Sequence, residues 1–199
     1  MRGPTAILRS LYDWTMRLAA RPDATGALAF VSFIESSVFP IPPDVLLIPM
    51  VLANRAKAWW LALVATVASV AGGLMGYLIG AFLYEAVAEP ILRFYGYLDK
   101  FAEFAETYNA WGAWAVLVAG ITPFPFKVIT IASGATKLSL TIFIVASIVA
   151  RAIRFFAVAG LLYYFGPPIR SFIEERLGLM FTIFMVLLIG GFVVARYAF

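Results

Sequence analysis

The sequence predicts an all-α integral membrane protein with two inverted re-entrant hairpins, about three spanning helices and amphipathic interfacial helices. Of its 199 residues, 63% are hydrophobic and 13% charged, and the mean hydropathy is +0.95. A soluble domain is much more polar than this. Long apolar runs alternate with shorter ones that prolines interrupt. A broken backbone at membrane depth is tolerated only where protein or water surrounds it, which indicates hairpins buried in a helical bundle.

Composition also limits the chemistry that this chain can perform. It contains no cysteine and no histidine, so disulfides are excluded and the commonest metal ligand is missing. We therefore expect no metal and no cofactor. Proton chemistry must use carboxylates, tyrosines or lysines. The net charge of +4 is too small to indicate nucleic-acid binding.

The N-terminal segment, residues 1–23, carries apolar residues at helical spacing with arginines on the other side. This pattern is typical of an amphipathic helix that lies in the membrane interface. A helix packed on the protein's own surface would show the same pattern, and both interpretations stay open. No apolar core followed by a small-residue cleavage site is present, so we do not predict a removable signal peptide.

The first hairpin is predicted over residues 27–53. Glu35 and Asp44 lie in otherwise apolar arms on either side of a turn that contains Pro40 and Pro42. The prolines forbid one continuous helix, and each arm is too short to cross a bilayer. Two half-helices that meet at the prolines are therefore expected.

A spanning helix is predicted over residues 58–84, which are uncharged and open with two tryptophans. Small residues recur at every fourth position within it: Ala68, Gly72, Gly76 and Gly80. Such a stripe is typical of close helix packing. A thin wall beside a substrate path is the alternative.

The second half of the chain repeats this order of elements. The predicted elements are an interfacial helix over 91–108, a hairpin over 110–136, a spanning helix over 138–166, an interfacial helix over 168–177 and a spanning helix over 179–199. Pro123 and Pro125 break the second hairpin as Pro40 and Pro42 break the first. Residues 24–178 are expected to form one membrane domain.

The two proline turns form an internal repeat, because Pro40-x-Pro42-x-Asp44 and Pro123-x-Pro125-x-Lys127 align at one constant offset. An odd number of crossings separates them, so the hairpins must point in opposite directions. Paired broken segments of this kind indicate a transporter with its site near the membrane midplane. The lysine and arginine distribution places the N-terminus in the cytoplasm and the C-terminus outside.

Five ionisable residues interrupt apolar segments, and all should face the bundle interior: Glu35, Asp44, Lys127, Arg151 and Arg154. One interpretation is two structural ion pairs that hold the hairpins to the helices. In the functional hypothesis, the phosphate of a lipid is bound by Lys127, Arg151 and Arg154, and a proton is taken up by Glu35 or Asp44. It adds the prolines of both turns to the substrate site: Pro40, Pro42, Pro123 and Pro125.

These segments carry a family resemblance. The relevant runs are Glu35-Ser36-Ser37-x-Phe39-Pro40-x-Pro42-Pro43-Asp44 and Thr122-Pro123-x-Pro125-Phe126-Lys127-x-x-Thr130-Ile131-x-Ser133-Gly134. Together with Gly72-x-x-x-Gly76-Tyr77-x-x-Gly80 and Arg151-x-x-Arg154-Phe155-Phe156, they resemble the DedA family of the VTT, or SNARE-associated, superfamily, and within it the YqaA-type branch. The resemblance implies opposed re-entrant hairpins and lipid-linked transport, most notably the return of undecaprenyl phosphate across the bacterial inner membrane. Many members carry an arginine before the second turn, where this chain has Gly120 and Ile121.

Two functions remain in competition at this point. The first is a proton-linked flippase for an anionic lipid carrier, and the second is an energy-independent phospholipid scramblase. An enzyme is not expected, because no histidine and no recognisable nucleophile arrangement is present. The expected partners are a lipid phosphate, membrane lipids and protons, and a homodimer is one candidate assembly.

Overall fold

The computed structural model describes residues 23–38, 42–122 and 124–175, which are helical and include no strand. The helix predicted over 1–23, except for its last residue, and the one over 179–199 lie outside the described residues. Pro40 and Pro123 also lie outside them. An all-α fold is confirmed for the part of the chain that the structure describes.

Seven helices follow one another along the described chain. They are α1 (Ala24–Glu35), α2 (Asp44–Ala53), α3 (Ala58–Leu83), α4 (Glu89–Tyr95), α5 (Leu98–Ile121), α6 (Phe126–Ala135) and α7 (Leu140–Glu175). A 3₁₀ turn, Arg55–Lys57, precedes α3, and a π-helical turn, Tyr84–Ala88, joins α3 to α4. We call the two extremities of α3 the Arg55 end and the Glu85 end.

Helix α3 is the central element. We call α1 and α2 the first helix pair and α5 and α6 the second; α1, α2 and α6 pack on α3, and the two pairs approach it from opposite ends. Leu28 of α1 and Leu47 of α2 share an apolar cluster with Ala58 and Leu61, so this pair approaches from the Arg55 end. Gly134 near the end of α6 packs instead against the backbone of Tyr77. The second pair therefore approaches from the Glu85 end. We call the turn between Glu35 and Asp44 the first tip and the turn between Ile121 and Phe126 the second tip; the helix ends that flank these turns meet beside the middle of α3.

The glycine stripe of α3 is what allows this approach. A Cβ atom on Gly72 would collide with the carbonyl oxygen of Phe33, and one on Gly80 with that of Ile131. A Cβ on Gly76 would collide with the Thr130 hydroxyl. The packing interpretation of the stripe is therefore confirmed, because backbone and side chain of both pairs occupy the space that larger residues would fill.

Helix α7 runs back along α3 and completes two separate apolar clusters. Phe155 and Ala159 belong to the cluster near the Arg55 end, and Phe143 and Ala146 to the cluster near the Glu85 end. Arg151 and Arg154 lie on α7 between them. A charged layer thus separates two apolar halves, each of which includes residues of one helix pair.

Three predicted boundaries differ from the structure. Helix α5 continues from Leu98 to Ile121, so there is no break between an interfacial helix over 91–108 and a hairpin arm starting at 110. No proline interrupts this stretch, and its two glycines are packed, Gly112 against Leu138 and Gly120 against Ala150. The break lies earlier, at Gly96, whose φ of 70° ends α4.

The other two differences concern the ends of the spanning helices. Helical structure continues past residue 84 through the π turn into α4, and α7 continues past 166 to Glu175 with non-helical dihedral angles only at Phe165. As far as Glu175, the interfacial helix predicted over 168–177 is thus the continuation of α7 beyond this kink, and its last two residues lie outside the described chain. Periodicity identified the segments but not their continuity.

Two helices of the described chain are long and apolar enough to cross a membrane: Arg55–Tyr95 and Leu140–Gly166. The first contains the span predicted over 58–84, and the second begins two residues after the start of the span predicted over 138–166. The apolar helices Ala24–Glu35, Asp44–Ala53 and Phe126–Ala135 are too short to cross alone. Their approach to α3 from opposite ends agrees with the inverted repeat, and their re-entrant path in a bilayer stays a prediction.

Candidate functional site

The innermost contact of the charged layer is an ion pair between α1 and α7. Arg151 Nη2 lies 2.9 Å from Glu35 Oε2, and the two side chains are only 2% and 11% exposed. The Ser36 hydroxyl donates to the same carboxylate oxygen at 3.1 Å. Glu35 is the last residue of α1, so this pair fixes the inner end of the first arm to α7.

Aromatic rings enclose the guanidinium of Arg151. Its central carbon lies 4.8 Å from the ring centroid of Phe126 and 4.7 Å from that of Phe155, and both rings are fully buried. Cation–π attraction strengthens when the cation is desolvated. Arg151 is therefore held by Glu35 and two rings, away from any lipid that approaches from outside.

A second ion pair lies one helical turn further along α7. Arg154 Nη2 donates to Asp44 Oδ2 at the start of α2, and Nη1 donates to the Thr122 carbonyl oxygen at 2.5 Å. The side chains of Arg154 and Asp44 are 17% and 18% exposed. Arg154 thus connects the tip of the first pair to the tip of the second in a partly open position.

Lys127 is the third cation of the layer. Its Nζ donates to the Val38 carbonyl oxygen at 3.2 Å, which again joins the second tip to the first. Among the residues that the structure describes, no carboxylate forms a salt bridge with Lys127. The positive charge in excess of the two ion pairs therefore resides on this side chain.

Hydroxyl groups that sequence reasoning missed complete the layer. The oxygens of Ser36 and Ser69 are 2.6 Å apart, and the Thr130 hydroxyl donates to the Ser36 carbonyl at 2.9 Å. All three side chains are buried. Ser69 lies one turn before Gly72. Its position beside the glycine stripe is the sequence feature that could have indicated a buried hydroxyl here.

The structure brings together all five charged residues that the sequence selected. Pro42 and Pro125 lie next to them at the starts of α2 and α6, where a proline is compatible with the first turn of a helix. Both ion pairs expected by the structural interpretation are present. Arg151 is enclosed, so Arg154 and Lys127 are the cations that an external ligand can reach.

The model of the VTT domain matches residues 41–164, more than half of the chain. This chain belongs to the VTT domain family. The DedA resemblance is thereby confirmed, and the YqaA-type branch stays a prediction. The family is membrane-associated and generally linked to transport or lipid flipping.

Two curated relatives cover nearly the whole domain. An uncharacterized protein of Haemophilus influenzae is 36% identical over 86% of this chain and 88% of its own length. An uncharacterized homologue from Histophilus somni is 32% identical over 86% of this chain and 89% of its own length. No solved structure matches the chain.

Proposed function

We propose that this VTT protein moves a phosphorylated lipid carrier, undecaprenyl phosphate, across the bacterial inner membrane. The observation that carries the proposal is the cation in excess at the meeting point of the two tips. Among the described residues, Lys127 has only the Val38 carbonyl oxygen as a hydrogen-bond partner, and it flanks the same turn that Arg154 contacts through Thr122. An anion that enters between the tips meets both side chains.

Charge balance favours a phosphate as that anion. Two carboxylates face three cations, so one positive charge is in excess before any ligand binds. The Nε atom of Arg154 is buried and has no acceptor among the described groups. Guanidinium donors match phosphate oxygens in geometry, and Lys127 supplies the point charge.

Helix geometry adds to the attraction for an anion. Helices α2 and α6 both begin at the tips, at Asp44 and Phe126. The N-terminus of a helix carries a partial positive charge and unpaired N–H groups. Both positive ends therefore lie at the same layer as Lys127 and Arg154.

The proposal includes proton coupling and an orientation. When phosphate takes donors from Arg154, Asp44 loses part of its partner and becomes a proton acceptor, and Glu35 is the second candidate. The basic Arg55 end faces the cytoplasm in this proposal, which agrees with the lysine and arginine bias of the sequence. No covalent bond of the lipid is made or broken, so the protein acts as a transporter and not as an enzyme.

Transport of a fluorescent polyprenyl phosphate into proteoliposomes tests this function. We expect Lys127→Gln and Arg154→Gln each to lower the initial rate at least tenfold, since each removes a charge-assisted contact worth about 1.5–3 kcal/mol. Lys57→Gln is the matched control, because Lys57 is an exposed lysine in the turn before α3. Wild-type rates in both site variants would refute the proposal.

The same vesicles separate a flippase from a scramblase. A proton-linked flippase moves the lipid faster when a pH gradient is imposed, in the direction that the gradient sets. A scramblase exchanges lipid equally in both directions and ignores the gradient. Equal exchange with and without the gradient would replace the flippase proposal by the scramblase.

A further inference from the structure

Helix α3 shows at what depth the charged layer lies. Exposed apolar residues recur at helical spacing along one face of this helix: Trp60, Val67, Ala71, Met75, Leu78 and Phe82. At 1.5 Å per residue this face is about 33 Å long, close to the ~30 Å hydrocarbon core of a bilayer. Ser69 and Gly72, which pack against the first helix pair, lie near its middle. The charged layer is therefore level with the middle of the span.

The exposed residues around the two tips are all aliphatic. This holds for the described residues of the tips and of the helix ends beside them, which are 36–38, 42–46, 120–122 and 124–129. Four of these residues are exposed, by 41% to 64%: Val38, Val45, Ile121 and Val128. We call these four residues the aliphatic border.

The serines of the first tip do not contribute to this surface. Ser36 and Ser37 are buried, and the Ser37 hydroxyl donates to the Phe33 carbonyl of its own helix at 3.1 Å. The polar side chains that a ligand can reach here are the charged ones already described. The entrance thus combines charge with aliphatic surface and exposes little neutral polar surface.

The aliphatic border flanks the accessible charged residues. The Val38 carbonyl oxygen accepts the hydrogen bond of Lys127. Ile121 precedes Thr122, whose carbonyl oxygen accepts the hydrogen bond of Arg154. Val45 and Val128 directly follow Asp44 and Lys127 in the first turns of α2 and α6.

This combination favours an entrance that opens sideways to the bilayer. Water-filled paths through membrane proteins are where polar and ionisable side chains are tolerated, whereas exposed aliphatic side chains are stable against lipid tails. A lipid that crosses a membrane takes its head group through mid-depth while its tail stays in hydrocarbon. An aliphatic border level with the middle of the span lets the tail remain there.

We propose that the phosphorylated lipid enters the charged layer sideways from the bilayer, with the first units of its tail against the aliphatic border. Its phosphate is then bound by Lys127 and Arg154. This inference rests on the proposed function and adds to it the entrance and four residues that recognise the tail.

The border also distinguishes a lipid from a soluble phosphate. Both carry the anion that matches the excess cation, but a soluble phosphate must give up its hydration without any apolar part to compensate. A lipid covers the aliphatic border with its own tail. The entrance therefore selects phosphates that carry a hydrocarbon chain.

Spin labels test whether the entrance faces hydrocarbon. The chain has no cysteine, so Val45→Cys, Val128→Cys, Val67→Cys and Ala56→Cys each provide one labelling position. Val67 lies on the outer face of α3 at the same depth, and Ala56 lies in the exposed turn before α3. In phosphatidylcholine vesicles we expect oxygen to relax the labels at 45, 128 and 67 more than a water-soluble nickel chelate does, with the reverse at 56. Nickel-dominated relaxation at 45 or 128 would overturn the proposal.

Lipid binding is measured on the same labels. We expect a polyprenyl phosphate to immobilise the labels at 45 and 128 and to leave the label at 67 unchanged. Inorganic phosphate and the unphosphorylated polyprenol should have no such effect. Lys127→Gln should raise the lipid concentration for half-maximal immobilisation about tenfold, as the loss of a charge-assisted contact predicts.

Three results of this experiment would refute sideways entry. They are an equal response of the label at 67, an equal response to inorganic phosphate, and no response to the lipid at 45 and 128. Transport in the same vesicles separates this failure from that of the proposed function. Transport without immobilisation refutes only the entrance, and immobilisation without transport refutes only the transport function.

Discussion

The two ion pairs of α7 differ in their surroundings although their arginines lie one helical turn apart. The Glu35–Arg151 pair is sealed between the rings of Phe126 and Phe155. The Asp44–Arg154 pair is partly open, and its arginine also binds a carbonyl of the opposite tip. The closed pair therefore holds α1 to α7 inside the bundle, whereas the more open pair, with Lys127, lies where the proposed function places the ligand.

The physical basis of this difference is desolvation. Two charges in an apolar interior lose their hydration, and the loss of one partner leaves the other charge uncompensated. An ion pair in contact with water loses little when one partner is removed. Removal of one partner should therefore cost more stability at the Glu35–Arg151 pair than at the Asp44–Arg154 pair.

The largest expected effect is that of Arg151→Met, which leaves the Glu35 carboxylate without its partner. We expect a loss of about 3–5 kcal/mol in the free energy of unfolding, the cost of breaking a buried pair. Denaturant unfolding in detergent micelles measures it. The double variant Glu35→Gln/Arg151→Met should recover much of the loss, and a single variant as stable as wild type would contradict the structural role.

A smaller loss in the free energy of unfolding is expected from Gly76→Ala. This variant tests whether both helix pairs depend on the close approach that the glycines of α3 allow. The added methyl group would collide with the Thr130 hydroxyl and approach the Ser36 carbonyl. Overpacking of this kind costs about 1–3 kcal/mol. Gly26→Ala is the control, because no atom lies within 4 Å of its Cβ position, and helix propensity predicts a slight gain.

Arg154→Gln should affect stability less and transport more. The pair with Asp44 is less completely buried than the pair of Glu35, so we expect a loss of about 1–3 kcal/mol, together with the transport defect proposed above. Comparison of unfolding and transport in one preparation checks this. A loss of stability equal to that of Arg151→Met would remove the distinction between the two pairs.

The smallest effect belongs to the exposed pair of Lys137 and Glu85. The hydrogen bond and charge of Glu85 raise the pKa of Lys137, so any contribution of this pair is complete at neutral pH and is lost only as the pH rises through the raised value. We expect Glu85→Gln to melt as wild type does at pH 7, because both side chains are largely solvated. Glu89→Gln provides a second exposed pair, with Arg93, for comparison.

Sequence reasoning predicted the element types and the five charged residues. Apolar length identified α3 and α7, and the two proline turns identified the opposed pairs. Helix continuity at Asn109 was missed, because the change from a charged to an apolar face looks the same in a continuous helix as across a break. The π turn after Leu83 has no sequence signal of comparable strength.

The pairing within the charged layer could not be predicted. From the sequence, Glu35 and Asp44 could each pair with any of three cations. Which ion pairs form depends on which residues of α7 lie beside the end of α1 and the start of α2. The enclosure of Arg151 depends on Phe126 and Phe155, which are distant in sequence and approach each other only because the first residue of α6 lies beside Arg151 of α7. The contacts of Arg154 and Lys127 with the Thr122 and Val38 carbonyls use backbone atoms. Every residue has these atoms, so the residue types do not indicate such contacts.

The two terminal nitrogens of the planar Arg154 guanidinium donate to different helix pairs. Nη2 donates to the Asp44 carboxylate of the first pair, and Nη1 donates to the Thr122 carbonyl oxygen of the second. A planar group cannot turn toward a newcomer with one nitrogen and leave the other in place. Any displacement of this guanidinium would therefore break its contacts with both helix pairs in the same movement.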